Sequence, residues 1–182
     1  MRPGPRIEAA IEILRDVTER HRPAALALAD WAKGHRFAGS GDRAAIGNLV
    51  YDALRRRASL AARMGSDTPR ALAIGAAPHA LGLTSAEVAA AVDGAQHAPP
   101  PITDEERAGL ERRLDESAPE HVRADVPEWL VPSLRRAFGD RLVAEGQALA
   151  MRAPVDLRVN TLKADRDKVL AALSKAEAAA SP

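Results

Sequence analysis

Residues 37–57 read Phe-Ala-Gly-Ser-Gly-Asp-Arg-Ala-Ala-Ile-Gly-Asn-Leu-Val-Tyr-Asp-Ala-Leu-Arg-Arg-Arg, a loop feeding a long helix. Gly39 and Gly41 bracket Ser40 in a turn, and Asp42 is placed to offer a side-chain oxygen to the orphan amides of the first helical turn as an N-cap. Ile46, Leu49, Val50, Ala53 and Leu54 recur at three- and four-residue spacing, so one stripe of the helix is apolar and belongs in a core. Arg55, Arg56 and Arg57 close it. Successive helical residues lie about 100° apart, so three adjacent arginines cannot all be buried. They either solvate the helix end and complement its dipole, or form a phosphate-contacting edge. The second reading gains weight from Lys33, His35, Arg36 and Arg43 just upstream, which the turn can bring near the same helix.

Outward from this stretch, the composition favours helices packed through small side chains. The 182 residues allow one comfortable domain or two small ones, and 46% hydrophobic residues suffice for a core. Aromatics make up 3% and alanine is abundant, which suits close helix packing better than a sheet of β-branched and aromatic residues. No apolar run is long enough for a membrane span, and the start, Met-Arg-Pro-Gly-Pro-Arg, leads into an amphipathic helix, so a cytoplasmic location without membrane contact is expected. The absence of cysteine excludes disulfides, thiolate zinc sites and a cysteine nucleophile from this chain. The net charge of +1 conceals two basic ends, +5 over residues 1–70 and +3 over 129–182, flanking a middle of −6 over 88–128. A basic lobe of that size is consistent with a polyanionic partner without demanding one.

Along the chain, Ile7, Ile11, Leu14 and Val17 mark one face of a first helix ending near His21. Pro23 opens a second, which carries Trp31 as a core anchor. Ser59 to Met64 forms a short helix stopped by Gly65, Asp67-Thr-Pro69 starts another, and Thr84-Ser-Ala-Glu87 is a capping box. Gln96 to Pro101, with three consecutive prolines, is expected to run extended as a linker. Thr103-Asp-Glu-Glu106 is a second capping box, opening a charged helix to about Ser117 that reads as a solvated strut. From Pro127 two helices follow, separated at Gly139 and Asp140 and ended by Pro154. Val155 to Thr161 alternates apolar and polar residues as a β-strand, and a last helix covers roughly Asp165 to Lys175 before the chain fades into alanines. A single strand cannot satisfy its own backbone, so the last domain is expected to be cut short, or to pair with another molecule.

Little local chemistry is encoded. His21, His35, His79, His97 and His121 are dispersed without metal-ligand spacing, Gly39-Ser-Gly41 lacks the Lys-Ser/Thr of a phosphate loop, and no nucleophile or cofactor loop stands out. No catalytic residue and no metal site are expected.

Asp42-Arg43 opening a helix, followed by Leu49-Val50-Tyr51 and Leu54-Arg55-Arg56, resembles the third-helix signature of NusB-type RNA-binding domains. Pro127-Glu-Trp-Leu, Phe138-Gly139 and Ala153-Pro154-Val-Asp-Leu157-Arg158-Val159-Asn160-Thr161-Leu-Lys163 closely resemble the segment joining such a domain to the methyltransferase part of RsmB/Fmu-type ribosomal RNA cytosine methyltransferases. The resemblance implies a mainly α chain: a NusB-like helical bundle at 1–97, a Pro-rich linker and charged helix at 98–126, and at 127–182 a helical pair plus the opening β-α of a small, truncated α/β domain. It implies an RNA-binding region, with ribosomal RNA as partner, that lacks both the domain binding S-adenosylmethionine and the cysteines that attack cytosine, so no cofactor and no activity are expected of the chain alone.

Candidate RNA-binding residues are Lys33, Arg36, Arg43 and Arg55 to Arg57 on the basic rim, with Arg158, Asn160 and Lys163 in the last domain. Arg43, beside a helix N-terminus, needs an internal partner such as Glu12 or Asp16, or an external anion. Arg158 and Asn160 lie opposite Leu157 and Val159 on the expected strand, as a solvent-facing surface or a face docking onto RNA or onto the absent methyltransferase domain. Two alternatives remain beside this one: a stand-alone NusB-like antitermination factor, which would have no use for Pro127 to Lys163, and a helical protein-interaction module.

Overall fold

A computed structural model describes residues 1–153, 155–176 and 178–180, and every regular element among them is helical. One compact unit spans Met1–Met151, and a smaller one begins at Arg152. The first contains α1 (Pro3–Thr18), α2 (Ala24–Gly34), α3 (Ser40–Arg55), α4 (Arg57–Met64), α5 (Pro69–Leu81), α6 (Ser85–Ala91), α7 (Asp104–Glu111), α8 (Glu120–Ala124), α9 (Val131–Phe138) and α10 (Leu142–Ala150). The second contains α11 (Arg166–Ala172).

At the centre of the first unit α1, α3 and α5 pack on one another. The run Ala71 to Ala77 is buried throughout, as suits a central helix that is apolar all round. Ile7, Leu14, Ile46, Leu49, Leu72 and Ile74 are fully buried, each worth about 1.5–3 kcal/mol relative to exposure. Small residues set the spacing: a Cβ on Gly75 of α5 would fall 2.9 Å from Met64 Cγ, so the glycine lets α4 lie close. Thr68 caps α5, and Thr84 and Thr103 form the expected capping boxes with Glu87 and Glu106.

The helix read from residues 37–57 forms with Ile46, Leu49, Val50 and Ala53 in the core, but its start differs. Gly39 is the N-cap and Asp42 lies inside the first turn, where its carboxylate accepts hydrogen bonds from Arg6 and the N-terminal ammonium instead of capping. The chain breaks at Arg56 (φ −112°, ψ 23°), so Arg57 belongs to α4.

Two further expectations are corrected. The charged helix α7 ends at Glu111 and is no solvated strut: Leu110 joins the main core and Gly109 sits against Met64. Residues 96–101 do not run extended. Gly94 and His97 adopt positive φ, the Gly94 amide donates to Pro99, the Ile102 amide donates to Val92, and Arg70 donates to the Pro100 and Pro101 carbonyls, closing the segment onto the bundle. A smaller core joins Ala124, Val126 and Leu142 with Val131 and Leu134, where α8, α9 and α10 meet. Gly146 allows that meeting, since a Cβ there would collide with the Ala124 carbonyl oxygen.

In the second unit, the strand expected over residues 155–161 does not form: 155–160 are coil and Thr161 opens a turn. Alternation supplies the face pattern of a strand, but no described residue offers its backbone a paired neighbour, and without a ladder the segment is extended coil. Asp165 caps α11 by accepting from the Asp167 and Lys168 amides, and Val159, Val169, Leu170 and Leu173 are half-buried. Pro154, expected to end the preceding helix, lies outside the described residues, as does part of the closing alanine-rich stretch. Among the described residues, no helix is long and apolar enough to cross a membrane.

Candidate nucleic-acid interface

The end of α2 and the loop into α3 carry the first group of cations. Lys33 is 78% exposed and its ammonium lies 3.0 Å from Asp30, whose carboxyl is held below its ordinary range by hydrogen bonds from Lys33 and Arg22. Arg36 is exposed, and no ion-pair partner for it is found among the described residues. Arg43 takes neither of its expected carboxylate partners. Its Nε donates to the Ala38 carbonyl at 2.9 Å, fastening the turn to α3, while Glu12 accepts from the Trp31 indole at 2.9 Å and Asp16 is paired with Arg20 and Arg22.

The three arginines at the α3–α4 junction divide by role. Asp52, on the last turns of α3, is 4% exposed. A buried carboxylate needs compensation, and three groups supply it: Arg55 at 3.5 Å, Arg56 at 3.6 Å and the His79 Nδ1 of α5 at 2.7 Å. Arg56 also donates to His79 Nε2 at 3.1 Å. A ring that accepts at Nε2 carries its proton on Nδ1, so the chain of donors runs from Arg56 through His79 to Asp52. Arg55 and Arg56 therefore serve the fold first, with Arg55 33% and Arg56 26% exposed at the side chain. Arg57 is different: it is 49% exposed and pairs with the exposed Asp67 at 3.1 Å, an arrangement that water and salt weaken.

In the second unit Arg158 and Lys163 are exposed. Asn160 is a turn residue: its Oδ1 accepts from the Leu162 amide at 3.1 Å, and its carbonyl accepts from Lys163 and Ala164. It thus shares no strand face with Arg158.

Three rings meet beside Arg36. Trp31 of α2 and His35, the residue that caps its C-terminus, stack with centroids 4.2 Å apart and planes 9° apart, and Phe37 stands edge-on to His35 at 5.7 Å. Sequence reasoning treated Trp31 as a core anchor and gave Phe37 no role; the i, i+4 spacing of Trp31 and His35 is the signal that marks the stack. Trp31 does pack partly against the core.

Among the described residues no group of three or more histidine, aspartate or glutamate side chains is placed to hold a metal ion. The arrangement offers cations, a ring stack and hydrogen-bond donors on an ordered helical frame, which is equipment for binding an anion or a planar ring. Against known families, residues 126–182 match the ferredoxin-like domain of RsmF/RsmB-like methyltransferases. No curated protein and no solved structure matches the chain.

Proposed function

We propose that this chain is the RNA-binding, non-catalytic N-terminal region of a ribosomal RNA cytosine-5 methyltransferase, with a NusB-like bundle at 1–97 ahead of the segment at 126–182. The observation that carries this reading is the family match of 126–182 following, in one chain, a helical bundle with exposed cations at one helix end. In this reading Lys33, Arg36 and Arg57 contact phosphates directly, Arg55 contributes through its exposed part, and Arg43 and Arg56 hold the local backbone and the buried carboxylate in place. Arg158 and Lys163 extend the contacts in the second unit. Such contacts position RNA without reading its sequence.

Catalysis would require S-adenosylmethionine and a thiolate to add to the cytosine ring, and this sequence contains no cysteine. The role of the chain is to bring RNA to a domain that supplies both, in the cytoplasm where ribosomal RNA is met. The test is binding of a ribosomal RNA fragment at rising salt, with a parallel incubation in labelled S-adenosylmethionine. The expected result is affinity that falls linearly in log–log form, by about 0.7–0.9 of slope per phosphate contacted, and no label in the RNA. Absence of binding at low salt, or transfer of label above a no-protein control, overturns the reading.

A further inference from the structure

We propose that Trp31, His35 and Phe37 form a stacking platform for an unpaired base of single-stranded RNA, a proposal that rests on the RNA-binding reading above and gives it a specific site. The chain holds only two tryptophans, one tyrosine and two phenylalanines, and one of each of the first and last meets a histidine within seven residues at the end of α2. Phe37 is 73% exposed. A ring that served only to cover the helix end would be covered in turn; this one turns most of its surface to solvent while its edge-on contact with His35 fixes its orientation.

The groove that the three rings line is completed by Pro5, Glu8, Ala9 and Glu12 of α1, with Met1 and His97. The charges around it decide what can enter. Glu12 orients the indole by accepting its N–H, and the Glu8 and Glu12 carboxylates disfavour a phosphate inside the groove, where the Met1 ammonium is already paired with Asp42. Arg36, between His35 and Phe37 in sequence, and Lys33, between Trp31 and His35, are absent from that lining and present exposed cations beside the ring residues in the chain. A nucleotide satisfies both at once: its neutral, planar base stacks on the rings while its phosphate stays with Arg36 and Lys33. Stacking is open to every base, since each has a π-face, but closed to a duplex, whose bases are already stacked on one another. The two modes of binding, cation to phosphate and ring to base, therefore separate by experiment.

The test uses the full chain carrying Trp129→Phe, which leaves Trp31 as the only tryptophan, with a short oligouridylate and a blunt RNA duplex as probes. The oligouridylate should quench Trp31 fluorescence on binding, and the duplex should bind without quenching. Phe37→Leu, at an exposed position and checked by an unchanged thermal midpoint, should weaken oligouridylate binding about tenfold while leaving duplex affinity and the salt slope as they were. Phe37→Tyr should restore the parent affinity. Oligouridylate binding that Phe37→Leu leaves intact overturns the platform and leaves the RNA-binding reading standing, whereas failure of the parent to bind either RNA at low salt overturns both. A parent chain that self-associates, a Phe37→Leu variant that does not, and unchanged oligouridylate affinity would assign the rings to contact with a second copy and overturn the proposal.

Discussion

Asp125, in a left-handed turn after α8, accepts a 2.7 Å hydrogen bond from the Ser59 amide in the first turn of α4. A helix that lacks a local cap is thus capped by a side chain 66 residues away, and this carboxylate adds a hydrogen bond to the packing of α8 on α4 that joins the smaller core to the larger one.

Burial pushes the Asp125 carboxyl up, against the hydrogen bond from Ser59 that lowers it. A carboxyl whose folded pKa lies above its unfolded value adds most stability below the unfolded pKa, about 3.9, and loses that contribution as pH rises through the folded pKa. Asp125→Asn keeps an acceptor and tolerates the left-handed turn, so the midpoint of the parent should fall relative to the variant as pH rises from about 4. Asp125→Ala should cost about 0.5–2 kcal/mol through loss of the cap. Thermal melts of the three chains across pH check both statements, and a parent-to-Asn difference constant with pH refutes the first.

Glu106 behaves in the opposite sense. Burial raises its pKa, but hydrogen bonds from Arg70 and from the Thr103 amide outweigh that and leave it below the ordinary glutamate range. Its contribution is therefore full above the unfolded pKa and lost as pH falls through the folded one. Glu106→Gln should be less stable than the parent at neutral pH by about 1.5–3 kcal/mol, the worth of a charge-assisted pair, and the two should converge in acid. Urea denaturation at neutral and acidic pH measures the gap.

Changing Arg55, Arg56 and Arg57 together to alanine leaves Asp52 buried with only His79 beside it. The triple variant should lose about 1.5–3 kcal/mol of stability, so a loss of RNA binding in it would mix unfolding with lost phosphate contacts. Asp52→Asn in the same background should recover part of the stability, because the uncompensated charge is gone. Arg57→Ala alone, at a salt-exposed pair, should leave the melt within about 0.5 kcal/mol of the parent and still reduce the salt slope of RNA binding.

Gly146→Ala should destabilise the junction of α8 and α10 by about 1–3 kcal/mol, since the new methyl meets the Ala124 backbone, which cannot rotate away. Gly47→Ala, on α3 with open space around its Cβ position, is the control and should be neutral or stabilising. Denaturant midpoints of the two variants, with equal m-values, make the comparison.

The parts of the fold that are legible in the sequence are those decided within one helical turn. Thr84 with Glu87 and Thr103 with Glu106 reach each other by spacing alone, and both boxes form. Asp42 has the residue type of a cap, yet its partners are Arg6 and the chain's first amine, which no local pattern joins to it. The break at Arg56 carries neither glycine nor proline, so nothing in residues 37–57 announces it. Leu110 was hidden by the charges around it: a short helix needs only one well-placed apolar side chain to join a core that other elements have already built. The candidate site was half legible, because exposure of Lys33 and Arg36 follows from charge, whereas the engagement of Arg55 and Arg56 depends on Asp52 and on His79 from another helix.

The extended segment from residue 155 bears on how the isolated chain behaves in the test tube. Val155 is 78% and Leu157 69% exposed, and an extended backbone with no ladder partner among the described residues is a template on which a neighbouring molecule can add by edge-to-edge pairing. Asp156 and Arg158, interleaved with those side chains, are of opposite sign and would sit in register between two antiparallel copies, so they invite such pairing more than they oppose it. Concentrated stocks should cloud on storage and show a growing β-type amide I band. Leu157→Lys should delay both.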